Sequence, residues 1–597
     1  MLTLESGPDR ALFVGDLLHS PLQIHEPDSN SCFCEDPAEA RATRHKLLGW
    51  AVDNNALVIP AHLCGHGAAE VIREGGKFRD QGLGALRPVR RAGLSPRKGT
   101  TVNHRPDPVV ATAQGAVRGL RQGAALTFLN IPYAAPPRGA GRFAPPRPHE
   151  PWEGVRDATA PGPNAPQSER KLGSVDMSPY FGAGWSRGED YLTVNIFAPA
   201  AGGDELPVMV FVHGGGFVAG STRSMMYDGS AFARDGVVLV TLNYRLGIAG
   251  FLDILGAPAN RGLLDVVAAL RWVQENIAAF GGDPHNVTLF GQSAGATIVG
   301  GVLATSDAAG LFHRAIVQSG SGLGAFSTEQ AARVTKAAAE ALGIEPHAGA
   351  FADVSDERLV EAASRLAGID LRTDTHRDPL IGLSPFSLVL DTQPAASVAV
   401  GLSADVDLLV GTNTEEGNLY LVPVGKYATS TAADVDEAAA RSHPDPARLV
   451  EAYRESRPEA SFAELRSAIM GDALFGAGSR ALAGAHAAHS GSVTYAYEFA
   501  WRSQALDGEL GATHAVELPF VFDLVDRPDL HGPNALLGPG TAPAGLAARV
   551  HETWIRFART GDPGWDPYDA EREATMRIDT EWTQIDGPRT RERQVWS

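Results

Sequence analysis

The stretch Val287-Thr-Leu-Phe-Gly-Gln-Ser-Ala-Gly295, continuing through Ala296-Thr-Ile-Val-Gly-Gly-Val-Leu-Ala304, decides the fold. It opens as an apolar, β-branched run and closes as a helix from Ala294 to Ala304, with only small residues at the turn. Gly291-Gln-Ser293-Ala-Gly295 matches the pattern Gly-x-Ser-x-Gly. Alone it is also readable as an ordinary glycine-rich turn. Set between a strand and a helix, it has the context in which a serine hydroxyl is held above a sheet at a helix N-terminus.

Working outward, Pro207-Val-Met-Val-Phe-Val212 and Val237-Val-Leu-Val-Thr-Leu242 read as further buried strands. Between them and Asn286–Phe290 lies a helical pattern, Arg261 to Phe280, with Leu264, Val267, Ala268, Trp272 and Ile277 at helical spacing and Gly281-Gly-Asp-Pro284 as its stop. Strand, helix and strand at these lengths imply parallel pairing in an α/β sheet. More strands are expected at Ala315–Gln318, Asp407–Val410 and Val493–Phe499, and a closing amphipathic helix at Pro543–Thr560 with Leu546, Val550, Trp554 and Phe557 on one face. Val109–Pro132 reads as short hairpin strands, Pro132–Gly188 as irregular surface, and residues 83–108 as a Gly/Pro/Arg-rich linker.

At strand ends the chemistry accumulates. His213-Gly-Gly-Gly-Phe217 follows Val212 and exposes backbone N–H groups without side chains in the way. Gly215, Gly216 and Ala294 are the candidate donors to an oxyanion beside Ser293; a merely flexible loop is the alternative.

Composition narrows the partner. The 597 residues carry 51 Lys+Arg against 70 Asp+Glu, a formal charge of −19, which disfavours nucleic acid and anionic lipid and leaves a small molecule. No run approaches the roughly 18 apolar residues of a membrane span, and no basic start followed by an apolar core marks a secretory signal. All three cysteines, Cys32, Cys34 and Cys64, precede the expected catalytic region, which suits a reducing cytoplasm. No metal or organic cofactor is called for by these motifs.

Phe128-Leu-Asn-Ile-Pro-Tyr-Ala134, Glu189-Asp-Tyr-Leu-Thr-Val-Asn-Ile-Phe197, His213–Phe217, Asn243-Tyr-Arg-Leu-Gly247 and Gly262–Ala296, in that order, resemble the type-B carboxylesterase family, which includes the cholinesterases. The resemblance runs from Ala111 to the C-terminus. It implies an α/β-hydrolase fold, a central mostly parallel sheet flanked by helices, here with a short N-terminal extension. It also implies hydrolysis of small-molecule carboxylic esters through an acyl-enzyme, with the triad in the order Ser, acid, His. Ser293 would be the nucleophile. Gly411-Thr-Asn-Thr-Glu-Glu-Gly417 is similar to the acid loop, so Glu416 takes the acid role by position, with Glu415 the runner-up. His443, His486, His489, His514, His531 and His551 follow; only His514, before Ala-Val-Glu-Leu-Pro-Phe-Val-Phe522, looks like the family's base motif.

Departures carry information too. Ala165 and Tyr191 stand where secreted relatives pair two cysteines, and Gln292 stands where the family often has Glu. The loops Met177–Trp185 and Ser384–Leu390 are expected to shape the pocket. Val14-Gly-Asp-Leu-Leu-His19 and Ile59-Pro-Ala-His62 resemble the C-terminal part of metallo-β-lactamase-fold hydrolases. With only Asp16 and His62 as ligands, residues 1–82 read as a truncated, non-catalytic segment before an esterase domain at 109–597. Two other functions compete: a metal-dependent lactonase centred on that segment, and a cholinesterase-like binding protein without catalysis. The missing ligands and the intact Ser293, Glu416 and His514 weigh against them.

Overall fold

The computed structural model describes residues 2–6, 9–15, 17–18, 22–29, 36–60, 69–74, 77–81, 107–182 and 184–596. The chain divides into two compact units, Met1–His104 and Arg105–Ser597.

In the first unit, strands β1 (Leu2–Ser6), β2 (Asp9–Gly15), β3 (Ala56–Pro60), β4 (Ala69–Glu74) and β5 (Lys77–Gln81) form one sheet in sequence order. Only β2 and β3 pair in parallel, across the helix Pro37–Asp53. Asp36 caps that helix, accepting from the amides of Ala38 (2.9 Å) and Glu39 (3.0 Å). Leu12, Leu48, Val58 and Val71 are among its buried core. Asp16 and His62 lie outside the described residues, so the metallo-hydrolase reading of this segment gains nothing from the structure.

The second unit is built on one large sheet. Its strands, in chain order, are β6 (Val109–Thr112), β7 (Gly115–Arg118), β8 (Leu120–Gln122), β9 (Ala125–Pro132), β10 (Val155–Asp157), β11 (Thr193–Pro199), β12 (Leu206–Val212), β13 (Val238–Leu242), β14 (Gly282–Gln292), β15 (Arg314–Gln318), β16 (Asp407–Asn413), β17 (Thr494–Phe499), β18 (Thr575–Ile578) and β19 (Thr583–Ile585). Three of them, β10-β7-β6, make a small side sheet. The other eleven are ordered β19-β18-β17-β16-β15-β14-β12-β13-β11-β9-β8. From β13 to β18 every neighbouring pair is parallel; the antiparallel pairs are confined to the two margins. This is the mostly parallel α/β-hydrolase sheet that the resemblance implied.

Its central strands are buried on both faces, which explains their continuous apolar runs. Along β12, Val208, Val210 and Val212 pack under one helical layer, while Met209 and Phe211 pack under the other. The second layer includes the closing helix Leu546–Thr560, with Leu546, Val550, Trp554 and Phe557 buried along one face as their spacing predicts.

Two expectations need correction. In the helix Arg261–Asn276, Leu264 and Ala268 are only half-buried, whereas Leu263, Val266, Ala269, Leu270 and Val273 are fully packed. The outer side is covered as well: Trp272 Nε1 donates to Gln114 Oε1 at 3.0 Å and the Ala113 amide donates to Asn276 Oδ1 at 2.8 Å. A helix roofed on two sides loses the single stripe from which its face was read. Nor is Pro132–Gly188 merely surface. Gln167 is buried and clasps Gly220, donating to its carbonyl (3.0 Å) and accepting from its amide (2.9 Å). Asn164 likewise bonds Gly184 O at 2.8 Å and the Ser186 amide at 2.6 Å. Buried side-chain amides do here what a regular ladder does elsewhere.

A fully buried ion pair ties this architecture together. Arg245, in Asn243-Tyr-Arg-Leu-Gly247, grips Asp265 of the helix through Nε (2.8 Å) and Nη2 (2.6 Å), and both side chains are 0% exposed. Its Nη1 donates to the carbonyls of Arg142 (3.1 Å) and Ala144 (2.7 Å). Removing one partner strands a buried charge, so Asp265→Ala is expected to cost about 3–5 kcal/mol of stability. Denaturant unfolding checks this; a loss below about 1 kcal/mol would show that solvent or backbone groups replace the carboxylate.

Candidate active site

In a parallel sheet all C-terminal strand ends share one edge, and loops leaving that edge converge. β12 ends at Val212 and feeds the triple-glycine loop; β14 ends at Gln292 and feeds Ser293; β16 ends at Asn413, three residues before Glu416. The register holds them level, with Val212 opposite Gly291, Gln292 opposite Gln318, and Gln318 opposite Gly411. His514 lies on the connection that follows β17.

The turn at Ser293 is sharp enough to set this residue at φ 59°, ψ −128°, outside the ordinary regions for a side-chain-bearing residue. Gly295 permits it: a Cβ there would lie 2.1 Å from Val212 O. The helix Ala294–Leu303 therefore starts directly against β12 and its N-terminal amides face the edge of the sheet.

The Ser293 hydroxyl donates to His514 Nε2 at 2.8 Å, and His514 Nδ1–H donates to Glu416 Oε2 at 2.6 Å. Glu416 Oε1 accepts from the Ser319 hydroxyl (2.5 Å) and from the Asn413 amide (2.7 Å). Three hydrogen-bonding partners thus fix a carboxylate that is 4% exposed. Phe475, on the π-helical turn Asp472–Gly476, stacks on the imidazole at 4.3 Å and 7°. Gln292 Nε2 lies 3.3 Å from His514 Nε2, so the neutral amide touches the ring edge that faces Ser293.

Glu415 points elsewhere. It pairs with Arg502 and accepts from the Ala512 amide at 2.8 Å. The other histidines are also occupied away from Ser293: His443 with Val595 O (2.8 Å), His486 with Thr494 Oγ1 (2.8 Å), His489 with Val398 O (2.9 Å), His531 with Gly540 O (2.8 Å) and His551 with Val521 O (2.7 Å).

A cavity of about 80 Å³ lies over Ser293 and is lined by Gly215, Gly216, Ala294 and His514. The amides of these two glycines and of Ala294 have no acceptor among the described residues. Under the loop, His213 stacks on Tyr244 at 4.5 Å and donates to Gly214 O at 2.8 Å. Burial, against the pull of that hydrogen bond, holds His213 down at about 4, so it is a neutral prop. Met177, Tyr180, Phe181 and Ser384 reach the cavity from the two expected loops, joined by Leu380, Leu383, Leu474 and Arg170.

Glu517, three residues after His514 and inside the base motif, is fully buried. Burial and the neighbouring Glu416 charge push it up to about 7, although Asn413 Nδ2 donates to it at 2.7 Å. In the sequence it stands among apolar neighbours with nothing to single it out. Arg170 and Phe475 had no motif to announce them. Among the described residues no group of three or more His, Cys, Asp or Glu is disposed to hold a metal ion, and no helix is long and apolar enough to cross a membrane.

Comparisons with known proteins place the chain in a family. A model of the carboxylesterase family matches residues 106–596. The chain is 35% identical over 498 residues to the para-nitrobenzyl esterase of Bacillus subtilis (strain 168), spanning 81% of this chain and 98% of that one. It is 33% identical over 497 residues to the phenmedipham hydrolase of Pseudarthrobacter oxydans, spanning 80% and 96%. Among solved structures, a Geobacillus stearothermophilus carboxylesterase superposes with a TM-score of 0.71 at 35% identity, covering 82% of this chain and 100% of the other. A para-nitrobenzyl esterase structure gives 0.70 at 34% identity, with the same coverage. With the matching fold and the serine, histidine and glutamate on one sheet edge, the chain belongs to the carboxylesterase family of ester-hydrolysing α/β-hydrolases.

Proposed function

We propose that Ser293 is the nucleophile, His514 the general base and Glu416 the acid of a two-step ester hydrolysis. The observation that carries this is the continuous hydrogen-bond relay from Ser293 Oγ through His514 to Glu416, opening into a cavity. As Oγ attacks the ester carbonyl, His514 Nε2 takes its proton, and Glu416 stabilises the imidazolium. The carbonyl electrons move onto oxygen, where the amides of Gly215, Gly216 and Ala294 receive them. Collapse breaks the bond to the alcohol, which leaves with the proton from Nε2. Water then repeats the sequence on the acyl-enzyme and frees the acid.

The reading extends to compartment and to the first unit. A catalytic region without cysteine suits a reducing cytoplasm. Met1–His104 adds nothing to the chemistry, because Ser293, Glu416, His514 and all three proposed donors lie beyond it. Para-nitrobenzyl esters, named in a relative, are the natural first probe.

Ser293→Ala is expected to lower kcat on such an ester by roughly 10³-fold or more while the protein stays folded. Near-native turnover would remove Ser293 from the mechanism. Glu416→Gln should cost about 10²–10⁴-fold and Glu415→Gln far less; the reverse order would assign the acid to the wrong carboxylate.

A chain beginning at Pro106 should turn over at the full-length rate per active site titrated with an organophosphate, with no response to zinc or chelator in either form. Loss of most turnover in a fully titratable short form would give the first unit a role.

Stability should carry the mark of Glu517. Its folded pKa, about 7, lies above the ordinary 4.5, so between these values the folded chain holds a proton that the unfolded chain has released. Stability contributed by this group therefore falls as pH rises through that window. Glu517→Gln, neutral throughout, should flatten the fall; an unchanged slope in unfolding experiments from pH 5 to 7 would mean Glu517 is already ionised.

A further inference from the structure

Among the described residues Arg170 is the one permanently charged residue lining the cavity over Ser293, with no Asp, Glu or Lys beside it in that lining. The Gln167–Gly220 clasp described above holds its segment in place, three residues upstream. One guanidinium N–H, on Nη1, donates to Gly215 O at 3.3 Å, and the cation lies 5.9 Å from the Phe181 ring centroid. Among the described residues it forms no ion pair with a carboxylate, and its surroundings lower its pKa through desolvation. Half-burying a guanidinium without a counter-ion is costly, and the cost is recovered when a ligand supplies the anion.

Arg170 also marks a junction. A second cavity of about 280 Å³, lined by Val218, Leu246, Ile248 and Leu359 and also by Lys171 and Asp356, shares Arg170, Leu172 and Leu383 with the first. An aliphatic acyl chain extending from the ester carbonyl toward these shared residues meets the guanidinium, whose remaining N–H groups suit a bidentate carboxylate. Gln292 fits the same picture: a carboxylate at that position, against His514, would repel an anionic substrate, and a neutral amide does not.

Resting on the esterase reading of Ser293, we infer that Arg170 is a specificity residue and that the enzyme accepts esters bearing a second, free carboxylate, such as hemiesters of aliphatic dicarboxylic acids. The carboxylate exchanges water for the Arg170 fork while the ester carbonyl sits between Ser293 and the glycine amides. No bond to Arg170 is made or broken.

The test compares 4-nitrophenyl hydrogen adipate with 4-nitrophenyl hexanoate, which have acyl chains of equal length, on wild type, Arg170→Gln and Arg170→Lys, each normalised to organophosphate-titratable sites. The ratio of kcat/KM for the acidic over the neutral ester should fall at least about tenfold in Arg170→Gln. In Arg170→Lys, which keeps the charge but not the fork, the fall should be smaller. Free adipate should inhibit wild type competitively, and more strongly than hexanoate. An unchanged ratio in Arg170→Gln, including an equal loss on both esters, overturns the proposal; the equal loss would show that Arg170 acts through the Gly215 carbonyl on the loop. If Arg170→Gln fails to fold, the Arg170→Lys ratio and the adipate inhibition decide it, and equal inhibition by adipate and hexanoate counts against it. Wild type that hydrolyses neither ester and takes up no organophosphate sinks the esterase reading as well, a result distinct from hexanoate cleavage with an indifferent Arg170.

Discussion

The backbone at Ser293 is forced into a conformation that serine does not choose, and the second unit is arranged around tolerating it. A residue at φ 59°, ψ −128° persists only where its surroundings over-determine it. Here β14 is locked between β12 and β15 below the turn, the helix Ala294–Leu303 is buried along its whole length above it, and Gly295 lies against the Val212 carbonyl where no side chain fits. The same close approach brings the end of β12 beside the start of the helix. One steric condition therefore sets both the hydroxyl that faces the cavity and the nearby amides of Gly215, Gly216 and Ala294.

Charge is handled differently in the frame and at the site. The frame neutralises it: Arg245 and Asp265 are fully buried but satisfied by each other and by backbone groups. At the site, charges are left unbalanced on purpose. Glu416 is held by hydroxyl and amide donors against His514, Glu517 behind it is pushed toward the neutral form by burial and by the neighbouring Glu416 charge, and Arg170 faces the cavity without a carboxylate partner among the described residues. Such a layout supports a cation forming on His514 and an anion forming beside the glycine loop.

How much of this could be read from the residues follows from which interactions are local. The strand-turn-helix at Ser293 is specified within a dozen positions, as is the glycine loop, so each was legible with the sheet that carries it. Choosing His514 over five other histidines, and Glu416 over Glu415, needed the family resemblance; in space Glu416 meets His514, while Glu415 is turned to Arg502 and each of those histidines bonds elsewhere. Features built by distant segments were not legible. Phe475 reaches His514 from a π-helical turn, which has no sequence period of its own. Arg170 lies in a proline- and glycine-rich stretch that is ordered by side-chain amides rather than by a repeating pattern, and the helix Arg261–Asn276 hid its packing because loops cover the side expected to face water.

In the proposed mechanism one serine, activated by His514, attacks the substrate. Mass spectrometry of the protein after treatment with a fluorophosphonate tests it most directly, since the reagent records which oxygen attacks. The account predicts a single covalent adduct, mapped to the peptide containing Gly291-Gln-Ser-Ala-Gly295 and assigned to Ser293, and almost none in His514→Ala. An adduct on a different residue that abolishes ester hydrolysis, or labelling of Ser293 that proceeds equally fast without His514, would contradict it.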